Sequence, residues 1–375
     1  MIRHTSARED VRVRFADDRL AAVATDPPPL DEHPDRMPRV RPASKFPGLR
    51  VPGGRSTPGG APLLFYYVAR DFHQLDWDAT LEDDLRQLVR LAVREDLERQ
   101  YDWTTVALVK AEKQGSAAII TREPGIIAGL QAARVLIDEM HAAIELKPRV
   151  SDGDEIAAGA IVAELAGSAR DMLTCERPLL NLLGRLSGVA TLTRQYVRRL
   201  EGTNARIYDT RKTTPGWRRL EKYAVRCGGG HNHRTGLFDA VLIKDNHLAL
   251  AAEQGLSSAA AVRMARDFII QVGSENLPYD MLLEIEVDRL EHLDEVLAAG
   301  PDIVLLDNMS PDQLRSAVAL RNRFAPQIEL EASGGVSLEN VRDIALTGVE
   351  RISVGALTHD AGWLDVALDW GSGGR

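Results

Sequence analysis

The residues best suited to chemistry lie between positions 206 and 247, RIYDTRKTTPGWRRLEKYAVRCGGGHNHRTGLFDAVLIKDNH. Nine Lys/Arg stand there against four Asp/Glu, a net of +5, while the whole chain carries −9. Such a local reversal of charge suits an anion. Arg211, Lys212, His233, Arg234 and Lys244 fall at or just beyond two short apolar runs, 205–208 and 239–243, beside Gly228, Gly229 and Gly230. Arginine offers carboxylate or phosphate a planar, bidentate fork and lysine a point charge, so these types at strand ends suit a ligand with two adjacent carboxylates. Arg218, Arg219, Lys222 and Arg226 are spaced along one face of a helix over 217–226 and are expected to be solvated surface.

A second constellation is acidic. In LLEIEVD the alternation puts Glu284, Glu286 and Asp288 on one face of a strand and Ile285 and Val287 on the other. Carboxylates inside a fold are costly unless they meet cations, water or metal. Two partners are therefore expected: the cations of the first set, and Mg²⁺ held by Glu286 and Asp307 when a phosphate-bearing substrate is present. A third constellation is glycine-rich. EASGGV, with Ser333, Gly334 and Gly335, and SVGAL, with Gly355, each follow an apolar run, where exposed backbone amides can hold phosphate. His359, in ALTHD, reads as a loop or helix-start residue near the same place, and His231 as an exposed loop histidine.

These residues need a scaffold that brings many strand ends together. Strands are expected at 205–208, 240–243, 282–287, 303–306, 328–331 and 351–354, separated by helices over 217–226, 257–270, 290–299, 311–323 and 338–347. Strand and helix in alternation imply parallel strands, in a closed barrel or an open doubly wound sheet. Nearly every strand ends in polar residues, which favours a barrel mouth, and barrels often bind phosphate after their last two strands. Earlier in the chain, helices are expected over 78–98, 128–143 and 177–200. Strands are expected at 105–109, 116–121 and 161–165, with a hairpin turning at 151–154. That part reads as a smaller α+β unit.

Composition narrows the class. Ten of the 18 prolines precede residue 63, so 1–62 is expected to be a disordered Pro/Gly-rich extension. No apolar run is long enough to span a bilayer, and the charged amino terminus lacks a signal-peptide core. Cys175 and Cys227 have neither disulfide-framework nor metal-ligand spacing, which fits a cytoplasmic protein with free thiols. Global acidity argues against nucleic-acid binding.

In order, ERPLLN, DTRKTTPG, GGGHNHR, LIKDNH, EIEVD, LLDN, ASGG and SVGALTH resemble the quinolinate phosphoribosyltransferases, also called carboxylating nicotinate-nucleotide pyrophosphorylases, over roughly residues 78–372. The resemblance implies an α/β fold: an amino-terminal open-faced α/β sandwich, 63–180 plus 364–372, followed by an incomplete parallel α/β barrel, 181–360. It also implies transfer of a phosphoribosyl group from phosphoribosyl pyrophosphate to quinolinate, with loss of CO2, in NAD synthesis. Carried onto matching positions, it gives Arg211, His233, Arg234 and Lys244 to quinolinate, with Arg177 arriving from the neighbouring subunit of a homodimer or larger oligomer. It gives Lys212, Glu286 and Asp307 to catalysis on the ribosyl pyrophosphate with Mg²⁺, and Ser333, Gly334, Gly335 and Gly355 to its terminal phosphate. Two departures stand out: the amino-terminal extension, and a long segment over 248–279. The competing readings are a nicotinate-type transferase without decarboxylation and a non-catalytic ligand sensor.

Overall fold

The computed structural model describes residues 71–276 and 281–371. The expected disordered extension, 1–62, lies outside the described residues. The first helix, α1 (Ala79–Leu97), begins where the Asp78 carboxylate accepts from the Leu81 amide, and it buries Leu81, Leu85 and Val89. There follow α2 (Trp103–Leu108), β1 (Gln114–Thr121), β2 (Gly125–Ile126), α3 (Leu130–Glu139), β3 (Ile144–Pro148), β4 (Glu155–Ile156) and β5 (Ile161–Ser168). Next comes α4 (Ala169–Arg199), a 31-residue helix that leads into the second unit. It begins eight residues before the expected Arg177 and runs through the expected boundary at 180.

Two expectations are corrected here. Residues 105–109 form no strand: Asp102 caps α2 by accepting from the Thr105 amide, and that local bond outweighs the β-branched run. The predicted hairpin exists as the antiparallel pair β3–β5, with Pro148 opposite Ala163. Its turn over 151–154 does not lead straight back, however, because Glu155 and Ile156 first pair with Ile126 and Gly125.

The remaining elements are β6 (Arg206–Tyr208), α5 (Arg218–Cys227), β7 (Ala240–Ile243), α6 (Asp245–Glu253), α7 (Ser258–Asn276), β8 (Leu282–Val287), α8 (Leu293–Ala299) and β9 (Ile303–Asp307). The chain closes with α9 (Pro311–Phe324), β10 (Glu329–Ser333), α10 (Val341–Ala345), β11 (Arg351–Ser353), α11 (Ala356–His359) and β12 (Val366–Trp370). The long segment over 248–279 thus consists largely of α6 and α7; residues 277–280 lie outside the description.

Two sheets carry the fold. The antiparallel sheet has the order β12-β1-β5-β3, so the carboxyl-terminal strand returns to the first unit. Glycine makes that return possible: a Cβ at Gly188 would strike the Gly362 carbonyl. The second sheet is parallel, in the order β6-β11-β10-β9-β8-β7. Its outer strands, β6 and β7, do not pair with each other, and only a single parallel bridge, Tyr208 to His231, extends β6 toward the gap. This is the incomplete parallel α/β barrel that the resemblance implied.

Strand register explains its inside and outside. Val241, Ile285, Val304, Leu330 and Ile352 alternate onto the face that packs against the helices. The opposite face carries Glu284, Glu286, Asp307, Glu331 and Arg351, above an apolar floor of Phe72, Tyr208, Ala240, Leu282 and Ile303. Because the strands are parallel, their carboxyl ends share one rim, and polar residues gather there.

Candidate active site

The rim begins with the 209–216 loop after β6. Asp209 is fully buried; it pairs with the Lys222 ammonium and accepts from the His233 amide at 2.9 Å and the Asn232 side chain at 2.7 Å. Lys222 also donates to the His233 carbonyl at 2.7 Å. This overturns the surface assignment of Arg218, Arg219, Lys222 and Arg226. Lys222 is wholly buried and the three arginines are half-buried, because α5 packs its charged face inward against these loops.

A second clamp holds the same loop from beneath. Glu221, fully buried, pairs with Arg185 of α4 at 2.5 Å and accepts from the Thr214 amide at 3.1 Å and the Thr214 hydroxyl at 2.9 Å. The Arg185 guanidinium also donates to the Thr358 carbonyl and, at 2.9 Å, to that of Ala361. Thr358 in turn donates its hydroxyl to the Lys212 carbonyl at 2.6 Å. Through this network the Lys212 loop and the turn after β11 are fixed to each other. The stem of Lys212 and the ring of His359 flank Gly355 so closely that a Cβ there would lie 3.0 and 3.2 Å from them.

Of the expected anion ligands, Arg211 and Lys212 are exposed on the loop, and Lys244 stands at the end of β7 with its Nζ 2.9 Å from Glu286. Arg234 is buried, with Nη1 donating to the Ala240 carbonyl at 3.2 Å. Burial, then the Arg211 charge, holds Arg234 below its ordinary range. Arg177 lies on α4, exposed, and no described carboxylate pairs with it.

His233 points into the barrel. Its Nδ1 accepts from the Arg234 amide at 2.8 Å, so Nε2 carries the proton, 3.0 Å from Glu284 and 3.6 Å from Glu331; the ring stacks on Phe72 at 4.1 Å. Burial lowers His233 to about 4 and keeps it neutral. Burial raises Glu284 and Glu331 to about 7 each, and Glu284 adds to the rise at Glu331. These three offer ligand atoms within 4.8 Å of one another, although Arg351, Arg234 and Lys244 already supply positive charge to Glu284.

At the rim, Asp307 ends β9 level with Ser333, one pleat above Leu305, which is the register partner of Glu286. Burial and then the Glu286 charge raise Asp307, while the Asn308 side chain donates to it at 2.6 Å. The next turn is built for close approach. Asn308 donates its amide to the Ser333 carbonyl at 2.8 Å, and a side chain at Gly334, where φ is +88°, would collide with Asn308. Glu286 and Asp307 together offer hard oxygen donors, the kind that Mg²⁺ takes.

Sequence reasoning missed Arg185, Glu221, Lys222 and Glu331 as parts of the site, and marked Asp209 only as one of the polar strand ends. One signal was available: ELEAS over 329–333 has the same alternation as LEIEV, which marks Glu331 as an inward residue.

Comparisons with known proteins give the family. Residues 102–187 match the model of the quinolinate phosphoribosyl transferase N-terminal domain, and residues 189–369 that of its C-terminal domain. The chain is 44% identical over 289 residues to the carboxylating nicotinate-nucleotide pyrophosphorylase of Mycobacterium leprae, an alignment covering 76% of this chain and 97% of that protein. It is 42% identical over 261 residues to the probable enzyme of that name from Bacillus subtilis, covering 69% and 84%. The solved nicotinate-nucleotide pyrophosphorylase of Francisella tularensis superposes with a TM-score of 0.70 at 37% identity, covering 77% of this chain and 96% of that one. With both domain models matched in order and relatives aligned over nearly their full length, the chain belongs to the quinolinate phosphoribosyl transferase family.

Proposed function

We propose that this protein transfers the phosphoribosyl group of phosphoribosyl pyrophosphate to quinolinate, releasing pyrophosphate and CO2 and forming nicotinate mononucleotide for de novo NAD synthesis. The observation that carries this reading is the approach of Arg211 to Arg234, with no described carboxylate within ion-pair distance of either, while Arg234 and Lys244 both act on Glu284 on the inner face of the barrel. Two arginines without an ion-pair partner call for an anion, and with Lys244, which Glu286 holds in the absence of ligand, they suit a dicarboxylate better than a monocarboxylate.

Arg211, Arg234 and Lys244 would bind the two carboxylates of quinolinate. His233, neutral with its proton on Nε2, lies beneath them and offers one further hydrogen bond if its ring turns toward the rim. Lys212 would meet the departing pyrophosphate, and Ser333, Gly334, Gly335 and Gly355 the terminal phosphate of the ribose. Glu286 and Asp307 would hold Mg²⁺, which supplies charge neutralisation to the pyrophosphate when bound. As the bond to pyrophosphate breaks, positive charge grows on the ribose, and the same two carboxylates stabilise it electrostatically. Attack by the ring nitrogen leaves that nitrogen cationic, so the adjacent carboxylate can depart as CO2 without a base, its bonding pair left on the ring carbon, stabilised by the cationic nitrogen beside it, and then protonated from water. Arg177, exposed on α4, would reach the site of a second subunit in a homodimer or larger oligomer. A cytoplasmic location fits the two free thiols, Cys175 and Cys227.

The test is purified protein with quinolinate, phosphoribosyl pyrophosphate and Mg²⁺, followed for nicotinate mononucleotide and CO2. Folded protein that yields neither product would refute the proposal. Equal turnover of nicotinate would transfer it to a nicotinate-type enzyme.

A further inference from the structure

Arg218 opens α5, half-buried, between the two cationic loops. Its Nε donates to the Thr213 hydroxyl at 3.1 Å and its Nη1 to the Thr235 carbonyl at 3.3 Å. Thr213 comes two residues after Arg211, and Thr235 directly follows Arg234, so Arg218 lies between the loops that present those arginines. Burial, then the Arg211 charge, holds Arg218 below its ordinary range. Among the described residues no carboxylate pairs with Arg211, Arg218 or Arg234. The acids nearby are committed elsewhere: Glu221 to Arg185 and Thr214, Asp209 to Lys222 and Asn232, Asp239 to the Thr235 amide. Glu284 and Asp239 act on Arg234 only through space, neither within ion-pair distance of it, so three like charges drawn together stay short of compensating charge until an anion joins them. Arg218 has used two of its five donors and retains the rest.

Resting on the reaction proposed above, we infer that Arg218 contacts the substrate as the third guanidinium of the dicarboxylate subsite and sets its preference for two adjacent carboxylates over one. Carboxylates on neighbouring ring carbons twist out of a common plane, so a single planar fork cannot pair with both. Arg211 and Arg234 reach the subsite from separate loops, and Arg218 fills the span between them.

The experiment measures quinolinate and nicotinate binding to the full chain by calorimetry, without phosphoribosyl pyrophosphate, for wild type, Arg218→Lys and Arg218→Gln. The expected result is quinolinate affinity lowered by about tenfold or more in both variants, with nicotinate affinity and the KM for phosphoribosyl pyrophosphate within about twofold of wild type. Gln keeps a donor for the Thr235 carbonyl, so restored quinolinate binding in Arg218→Gln would reduce Arg218 to a loop tether and overturn the inference. Unchanged quinolinate affinity in Arg218→Lys, or equal weakening of quinolinate and nicotinate, would overturn it as well. Should Arg218→Lys fail to fold, Arg218→Gln decides alone. Wild type that binds no quinolinate would instead remove the proposed reaction, and this inference with it.

Discussion

The ammonium of Lys244 lies 2.9 Å from the Glu286 carboxylate, joining a residue proposed for quinolinate to one proposed for Mg²⁺. Without ligands each occupies the other. Binding of quinolinate to Lys244 would free Glu286, so the two substrates are coupled through this pair, and the coupling must be reciprocal. Glu286→Gln should weaken phosphoribosyl pyrophosphate with Mg²⁺ by about tenfold or more while leaving quinolinate affinity equal or slightly higher, since Lys244 is then released. Separate titrations of each ligand check this. A matching loss of quinolinate affinity would contradict the assignment.

Arg185 and Glu221 support the Lys212 loop without touching the rim themselves. Removing one partner of a buried ion pair leaves the other charge unpaired, which costs roughly 3–5 kcal/mol. Arg185→Leu should therefore lower the melting temperature and also raise the KM for phosphoribosyl pyrophosphate more than that for quinolinate, because Thr358, its carbonyl partner, holds the Lys212 backbone. Arg185→Lys should recover part of both. A variant that loses stability alone, with both KM values unchanged, would show the pair to be structural only.

The strand ends were legible in the sequence because they alternate: Glu284, Ile285, Glu286 and Val287 announce a strand with one polar face, and the structure places Glu284 inside the barrel. The return of β12 to the first unit was legible from the family resemblance alone. Lys222 and Glu221 were not, since charged residues at helical spacing look like a solvated face and their partners, Asp209 and Arg185, come from other elements. Helix α2 was missed for a local reason. The residues over 105–109 look like a strand, and only the Asp102 cap, three residues before Thr105, turns them into a helix.

Arg177 provides a test of assembly. If it completes the site of a neighbouring subunit, Arg177→Ala and Lys244→Ala should each be nearly inactive alone, yet unfolding and refolding them together should restore about one quarter of wild-type activity. In a symmetric dimer, half of the randomly formed pairs are mixed, and each mixed pair contains one site with both residues intact. Recovery near zero would place Arg177 outside the site or confine its action to its own chain.

The barrel interior gives a pH prediction. Glu331 is wholly buried next to Glu284, and burial raises it to about 7. A carboxyl whose folded pKa lies above its unfolded value contributes stability below the unfolded pKa, near 4.5, and that contribution fades as pH rises through about 7. His233 acts in the opposite sense: lowered to about 4, it loses stability for the fold as pH falls below its ordinary value. Glu331→Gln removes the first titration and leaves the second. Relative to wild type, the variant should therefore gain stability between pH 5 and pH 8, by an amount on the order of 1–2 kcal/mol, with the acid-side loss retained. Melting temperatures of both proteins at the two pH values provide the comparison. A difference between variant and wild type that does not change with pH would mean that Glu331 is ionised throughout, with Arg351, its register partner on β11, carrying the compensating charge.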